Sequence, residues 1–244
     1  AGRKKIITPP AVKKLILEKN WPIKILQPES PLAVGSQLSA DSYDLFVVMG
    51  YPHIISDSIL KIPKLGTIGI HPSLLPKYRG ASPIQSVLLH DEKETGVTLY
   101  VMDPKMDHGA IISSSKFPIS SDETHASLIK KVIDVAGSLA VSTIPSFVAG
   151  EIQPQPQDHS QATFCDKFSS EDAKVDMQTE TIEKIYNKIR ALNPEPGTWT
   201  MNLPGYEGKR VKLLSAKVKD GKLFITEIQP DGKKPIKVGN EIKR

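Results

Sequence analysis

Four apolar runs of strand character, set between helical patterns, constrain this chain more than any other feature. They cover 43–50, 66–71, 96–102 and 110–118, with a fifth candidate at 23–27. Helical spacing of apolar residues marks 11–20, 83–90 and 124–148, and Ile59-Leu60 closes a shorter helix. Trp21-Pro22 stops the first helix. Strands alternating with helices predict an α/β domain, Rossmann-like, on a largely parallel sheet.

The pattern changes at 150–161. Gln153-Pro-Gln-Pro-Gln157 is polar and proline-rich, and it is expected to join domains without packing. The division is then 1–152, a linker at 153–163, and 164–244. In the second part a helix at 181–191 precedes short β-runs at 211–214 and 223–227, separated by Gly205, Gly208, Gly221 and Gly232. That suggests a small β-rich, OB-like barrel or sandwich. The hydrophobic share of 39% is enough for a sizeable core. The longest apolar run, around 45–49, falls short of the ~20 residues of a membrane span. One cysteine, Cys165, excludes an internal disulfide framework and reads as a small buried hydrophobe.

Charge is uneven. The whole chain carries +5, with 32 Lys+Arg against 27 Asp+Glu; from Met201 onward 11 face 5, which leaves 21 against 22 before it. A basic end on a neutral body suits an anionic partner such as RNA.

The apolar run at 66–71 stops abruptly at His71-Pro72. A histidine just past a buried strand sits where α/β sheets bind ligands. Asp107 follows the next strand, and the two can form an oriented acid–base pair. No His/Cys cluster calls for a metal.

The segment His71-Pro-Ser-Leu-Leu-Pro-Lys-Tyr-Arg-Gly80, within 66–80, resembles the signature of the folate-dependent formyltransferases. Glu94-Thr-Gly-Val-Thr98, Met102-Asp103 and Asp107-x-Gly109 match the next blocks of that family in order. Arg190-Ala-Leu-Asn-Pro-Glu-Pro-Gly-Thr-Trp199 and Gln229-Pro-Asp-Gly-Lys-Lys234 resemble the second domain of its methionyl-tRNA subgroup, and so does Asp166-Lys-Phe168 of the joining segment. Ala1-Gly-Arg-Lys-Lys5 looks like that subgroup's basic tRNA loop.

The resemblance implies formyl transfer from 10-formyltetrahydrofolate to the amino group of methionyl-initiator tRNA, for translation initiation. It implies His71 as an oxyanion donor and Asp107 as the residue that orients it and handles the proton. Ser73, Leu74, Leu75 and Pro76 would line the folate pocket, and Arg3, Lys4 and Lys5 would touch tRNA. A monomer is the family expectation, in the mitochondrial matrix or, alternatively, a bacterial cytoplasm.

Two departures stand out. Gly69 occupies the place of the family's Asn, an oxyanion donor whose loss costs roughly 100- to 1,000-fold. Gly69 is expected to leave room for a water, and restoring Asn to raise transfer. The family also carries a further strand–helix–strand unit before the basic loop, and without it the strand at 45–49 is expected to lack a neighbour. A degenerate relative kept as an RNA- or ribonucleoprotein-binding subunit, and a formyltransferase for a nucleotide sugar or purine precursor, are the competing readings.

Overall fold

The computed structural model describes residues 9–27, 38 and 43–238. The first part runs α1 (Ala11–Glu18), β1 (Phe46–Met49), α2 (Asp57–Leu60), β2 (Thr67–His71), β3 (Arg79–Gly80), α3 (Pro83–Leu89), β4 (Glu94–Val101), β5 (Ile111–Pro118) and α4 (His125–Val148). The main sheet has the order β1-β2-β4-β5. The candidate strand at 23–27 takes no regular structure.

Burial follows sheet position. β4 is buried on both faces over Thr95–Tyr100, while β5 at the edge alternates. α4 starts at a capping box between Thr124 and Ser127. It lays Leu128, Val132 and Ala136 against the sheet at i, i+4 and i+8. By length and composition alone this helix of 24 residues is apolar enough to cross a membrane, although Lys130, Lys131 and Asp134 interrupt its apolar run. The outer edge of β1 carries no further strand among the described residues, with Val47 and Met49 half exposed.

The sheet is mixed, and this corrects the expectation of a largely parallel one. β1 and β2 pair in parallel, but β2–β4 and β4–β5 are antiparallel. The reason lies in the connections. α3 has seven residues and spans about 10 Å. The eight residues of β4 span about 27 Å. The chain enters β4 at the end of the sheet where β2 finishes, so β4 itself makes the return.

The second part contains β6 (Phe164–Cys165), α5 (Ile182–Leu192), β7 (Trp199–Thr200), β8 (Val211–Lys219), β9 (Lys222–Pro230) and β10 (Ile236–Lys237). Its antiparallel sheet has the order β10-β9-β8-β7. β8 and β9 meet through Asp220-Gly221, both at positive φ (51° and 70°), as a two-residue hairpin with matching twist requires. Ile185 and Ile189 of α5 pack on Val211, Leu213, Leu223, Ile225 and Ile228.

The two parts are joined by contacts. β6 pairs with β3 in parallel. Arg190, 3% exposed, donates to Leu88 O at 3.1 Å, Asp91 Oδ1 at 2.8 Å and Asn187 Oδ1 at 2.9 Å. The segment at 153–163 does not hang free, contrary to the reading of its composition. Gln155 bridges to Ile111, and Gln157 is buried. Its amides find backbone partners that a polar sequence does not announce.

Candidate active site

His71 ends β2, where the strand's apolar character stops, and it is 5% exposed. Its Nε2 lies 2.8 Å from Tyr78 O, so that nitrogen carries the proton and donates it to the carbonyl. Its Nδ1 faces Asp107 Oδ2 at 3.5 Å. Burial pushes His71 below its ordinary value, outweighing the opposing pull of Asp107; the Tyr78 carbonyl also raises it and the Arg79 charge lowers it. A neutral imidazole with Nε2–H engaged leaves a lone pair on Nδ1. The 3.5 Å contact is thus a base beside a carboxylate, not an ion pair at neutral pH.

Asp107 is gripped from several sides. Oδ2 accepts from Gly80 N at 2.7 Å, and Oδ1 accepts from the Tyr100 hydroxyl at 2.7 Å. Its backbone carbonyl accepts from Gln157 Nε2 at 3.0 Å. Its φ of 50° lies in the left-handed region. His71 and Asp107 do converge, though not because β2 and β4 end together. Val101 stands opposite Ile68, near the start of β2, and the loop after β4 brings Asp107 back over the sheet.

The loop after His71 is tied down by Thr98, which stands opposite His71 in the ladder. Its hydroxyl donates to Ser73 O at 2.7 Å and accepts from Leu75 N at 3.2 Å. Ser73 is fully buried and its hydroxyl donates to Lys77 O at 2.6 Å. Ser73 therefore holds the loop in shape, and Leu75 is buried as well. Leu74 and Pro76 remain partly exposed. Arg3, Lys4 and Lys5 lie outside the described residues.

Sequence reasoning missed three residues here. Gln157 accepts from Arg79 Nη2 at 2.5 Å and Nε at 3.2 Å, and donates to Gly109 O at 2.7 Å. Arg79, buried, also meets His159 Nδ1 at 2.9 Å, and the His159 ring stacks on His108 at 4.0 Å. Tyr100 is the third, and the alternation of β4 signals it: Thr98 and Tyr100 share one face with His71 and Gly69. Its ring lies over Gly69, so the room expected for a water there is filled. Cys165 is buried, and burial pushes its thiol up, as befits an unreactive residue. No three His, Cys, Asp or Glu side chains gather as a metal site among the described residues.

Comparison with known proteins gives two family matches. A model described as formyl transferase covers residues 1–144, and one described as formyl transferase, C-terminal domain, covers 167–222. A methionyl-tRNA formyltransferase of Halalkalibacterium halodurans is 39% identical over 87% of this chain, which spans 65% of that relative's length. HypX from Aquifex aeolicus, solved with tetrahydrofolic acid, is 21% identical with a TM-score of 0.68 over 86% of this chain and 40% of its own. The methionyl-tRNA formyltransferase from Clostridium thermocellum shares the fold at 20% identity and a TM-score of 0.61, over 93% of this chain and 92% of its own.

Proposed function

We propose, from the premise that this chain belongs to the formyl transferase family, that it moves a formyl group from 10-formyltetrahydrofolate to the amino group of methionyl-initiator tRNA. One observation carries the reading: a buried neutral imidazole, its Nε2–H held by Tyr78 O, offers Nδ1 beside Asp107.

The chemistry needs such a group. The amine attacks the formyl carbon, and the attacking nitrogen must lose a proton before the tetrahedral adduct collapses. His71 Nδ1 takes that proton, and Asp107 stabilises the imidazolium that forms. The bond from the formyl carbon to the folate nitrogen then breaks, and that nitrogen receives the proton from His71. Tyr78 O, rather than Asp107, keeps the ring oriented. Once protonated, Nδ1 also becomes a donor to charge developing nearby.

The likeness to a methionyl-tRNA formyltransferase, the match in the C-terminal domain and the basic end of the chain support this acceptor. Arg3, Lys4 and Lys5 would add phosphate contacts. The test is formation of formyl-methionyl-tRNA from 10-formyltetrahydrofolate by the purified chain, with His71→Ala as control. We expect transfer that falls at least 1,000-fold in the variant, the scale of a lost acid–base group with its charge stabilisation. Transfer to a nucleotide sugar but not to methionyl-tRNA overturns the acceptor assignment. Equal rates with and without His71 overturn the site.

A further inference from the structure

Tyr100 and Gly69 stand directly opposite each other in the β2–β4 ladder, on the face from which His71 projects. A β-carbon built on residue 69 would lie 2.7 Å from the Tyr100 hydroxyl oxygen and closer still to ring carbons Cε1 and Cζ. Only glycine admits the ring in this position. Tyr100 is 3% exposed, and its hydroxyl donates to Asp107 Oδ1 at 2.7 Å. Burial, and then the carboxylate of Asp107, push the phenol far above its ordinary value, so it stays protonated and donates. The ring alone would fill the space equally well as phenylalanine. The hydroxyl is explained only by what it holds.

What it holds is a residue under constraint. Asp107 keeps a left-handed backbone, a conformation that persists where surrounding contacts over-determine it, and such sites cluster at functional positions. Gly80 N fixes the oxygen facing His71, and Tyr100 fixes the other. Without the hydroxyl the carboxylate is free to turn, because the terminal torsion of aspartate is broad.

We infer that Tyr100 is a positioning residue of this site, acting as one unit with Gly69: its ring occupies the space over Gly69 and its hydroxyl sets Asp107 against His71. The inference deepens the formyl-transfer reading and rests on it for kinetics alone.

The charged and titratable groups around His71 are Asp107 from the loop after β4, Arg79 from β3, Tyr100 and, beyond it, Asp103. Cys165 from β6 lies behind, its Sγ directed at the carbonyls of Tyr78 and Arg79. Among these, removing the Tyr100 hydroxyl changes only the sharing of the Asp107 charge. Relieved of that donor, the carboxylate turns more of its charge on His71, so the imidazole protonates at higher pH.

The test uses Tyr100→Phe, Gly69→Ala and the double variant in the full chain. It reads the His71 imidazole by NMR titration, alongside kcat and KM for formyl transfer. Tyr100→Phe is expected to raise the His71 midpoint and lower kcat roughly tenfold, the scale of one hydrogen bond to a charged group, with KM unchanged. Gly69→Ala pushes the ring and hydroxyl away and should shift the midpoint in the same direction. The double variant should shift it no further, because one hydroxyl can be lost only once. A His71 midpoint unmoved by Tyr100→Phe, or single effects that simply add, overturns the inference. Should Tyr100→Phe fail to fold, an unmoved midpoint in Gly69→Ala overturns it alone. A wild-type chain that transfers no formyl group removes the proposed function, while the His71 midpoint still decides the positioning role.

Discussion

At the scale of single residues the site is governed by burial. His71 is kept neutral because desolvation outweighs the carboxylate beside it. The sign of its stability effect is therefore the reverse of a histidine that gains a partner. The unfolded chain titrates near 6.5 and the folded one lower, so the unfolded state binds the proton first. The stability from a neutral His71 is complete above about pH 6.5 and is lost as pH falls through the folded value. Urea midpoints taken from pH 8 to pH 5 should show wild type losing more stability on acidification than His71→Gln; parallel curves would remove burial as the governing effect. Gly69 teaches the same lesson from the other side. Its identity was legible as a departure from the family pattern, but its cause was not, because no sequence rule states which side chain lies over a glycine. Adding Asn at position 69 brings it against the Tyr100 ring, so any gain in transfer also requires a smaller residue at 100.

Among the elements, the segment joining the two sheets matters most for how the site is held. Gln157 bonds Arg79 and the backbone of Asp107 and Gly109 at once. Gln157→Ala leaves the buried guanidinium of Arg79 short of an acceptor, at a cost of about 2–3 kcal/mol. A protease of broad specificity should spare 153–161 in wild type and cut there at least ten times faster in the variant. Rapid cutting of the wild-type segment would mean that these bonds do not hold it. The elements of strongest period were legible: β2, β4, β5, α3, α4 and α5 each stand within a few residues of where the apolar pattern put them. Strand direction was not. Periodicity marks a strand without its sense, and nothing in the apolar pattern fixes the end of the sheet at which the chain enters β4. The two-residue strands β3, β6, β7 and β10 were likewise invisible, being too short to show a period. Convergence of His71 and Asp107 was nonetheless anticipated, because one ends a strand and the other follows a strand of the same sheet, even though the loop rather than the strand end delivers Asp107.

For the whole molecule, the question is what the uneven charge does. From Met201 onward 11 Lys+Arg face 5 Asp+Glu, on a body that carries 21 against 22. A solvated lysine-rich surface and an RNA-binding one have the same composition; they differ in how binding responds to salt. Each phosphate neutralised releases condensed counterions, so log K falls against log salt by roughly 0.7–0.9 per contact. If the basic start and the basic end both grip tRNA, the slope should reach several units. Replacing Lys4 and Lys5 by Ala should then flatten it by about 1.5, while kcat at saturating tRNA stays near wild type, since those lysines touch phosphate rather than the reacting amine. Replacing Lys233 and Lys234 by Ala tests the other end in the same way. A slope left unchanged by both pairs assigns these lysines to solvent and removes them from the proposed tRNA surface. A slope that flattens in both, with transfer abolished only when His71 is also replaced, separates a binding surface spread over the chain from a reaction confined to one histidine.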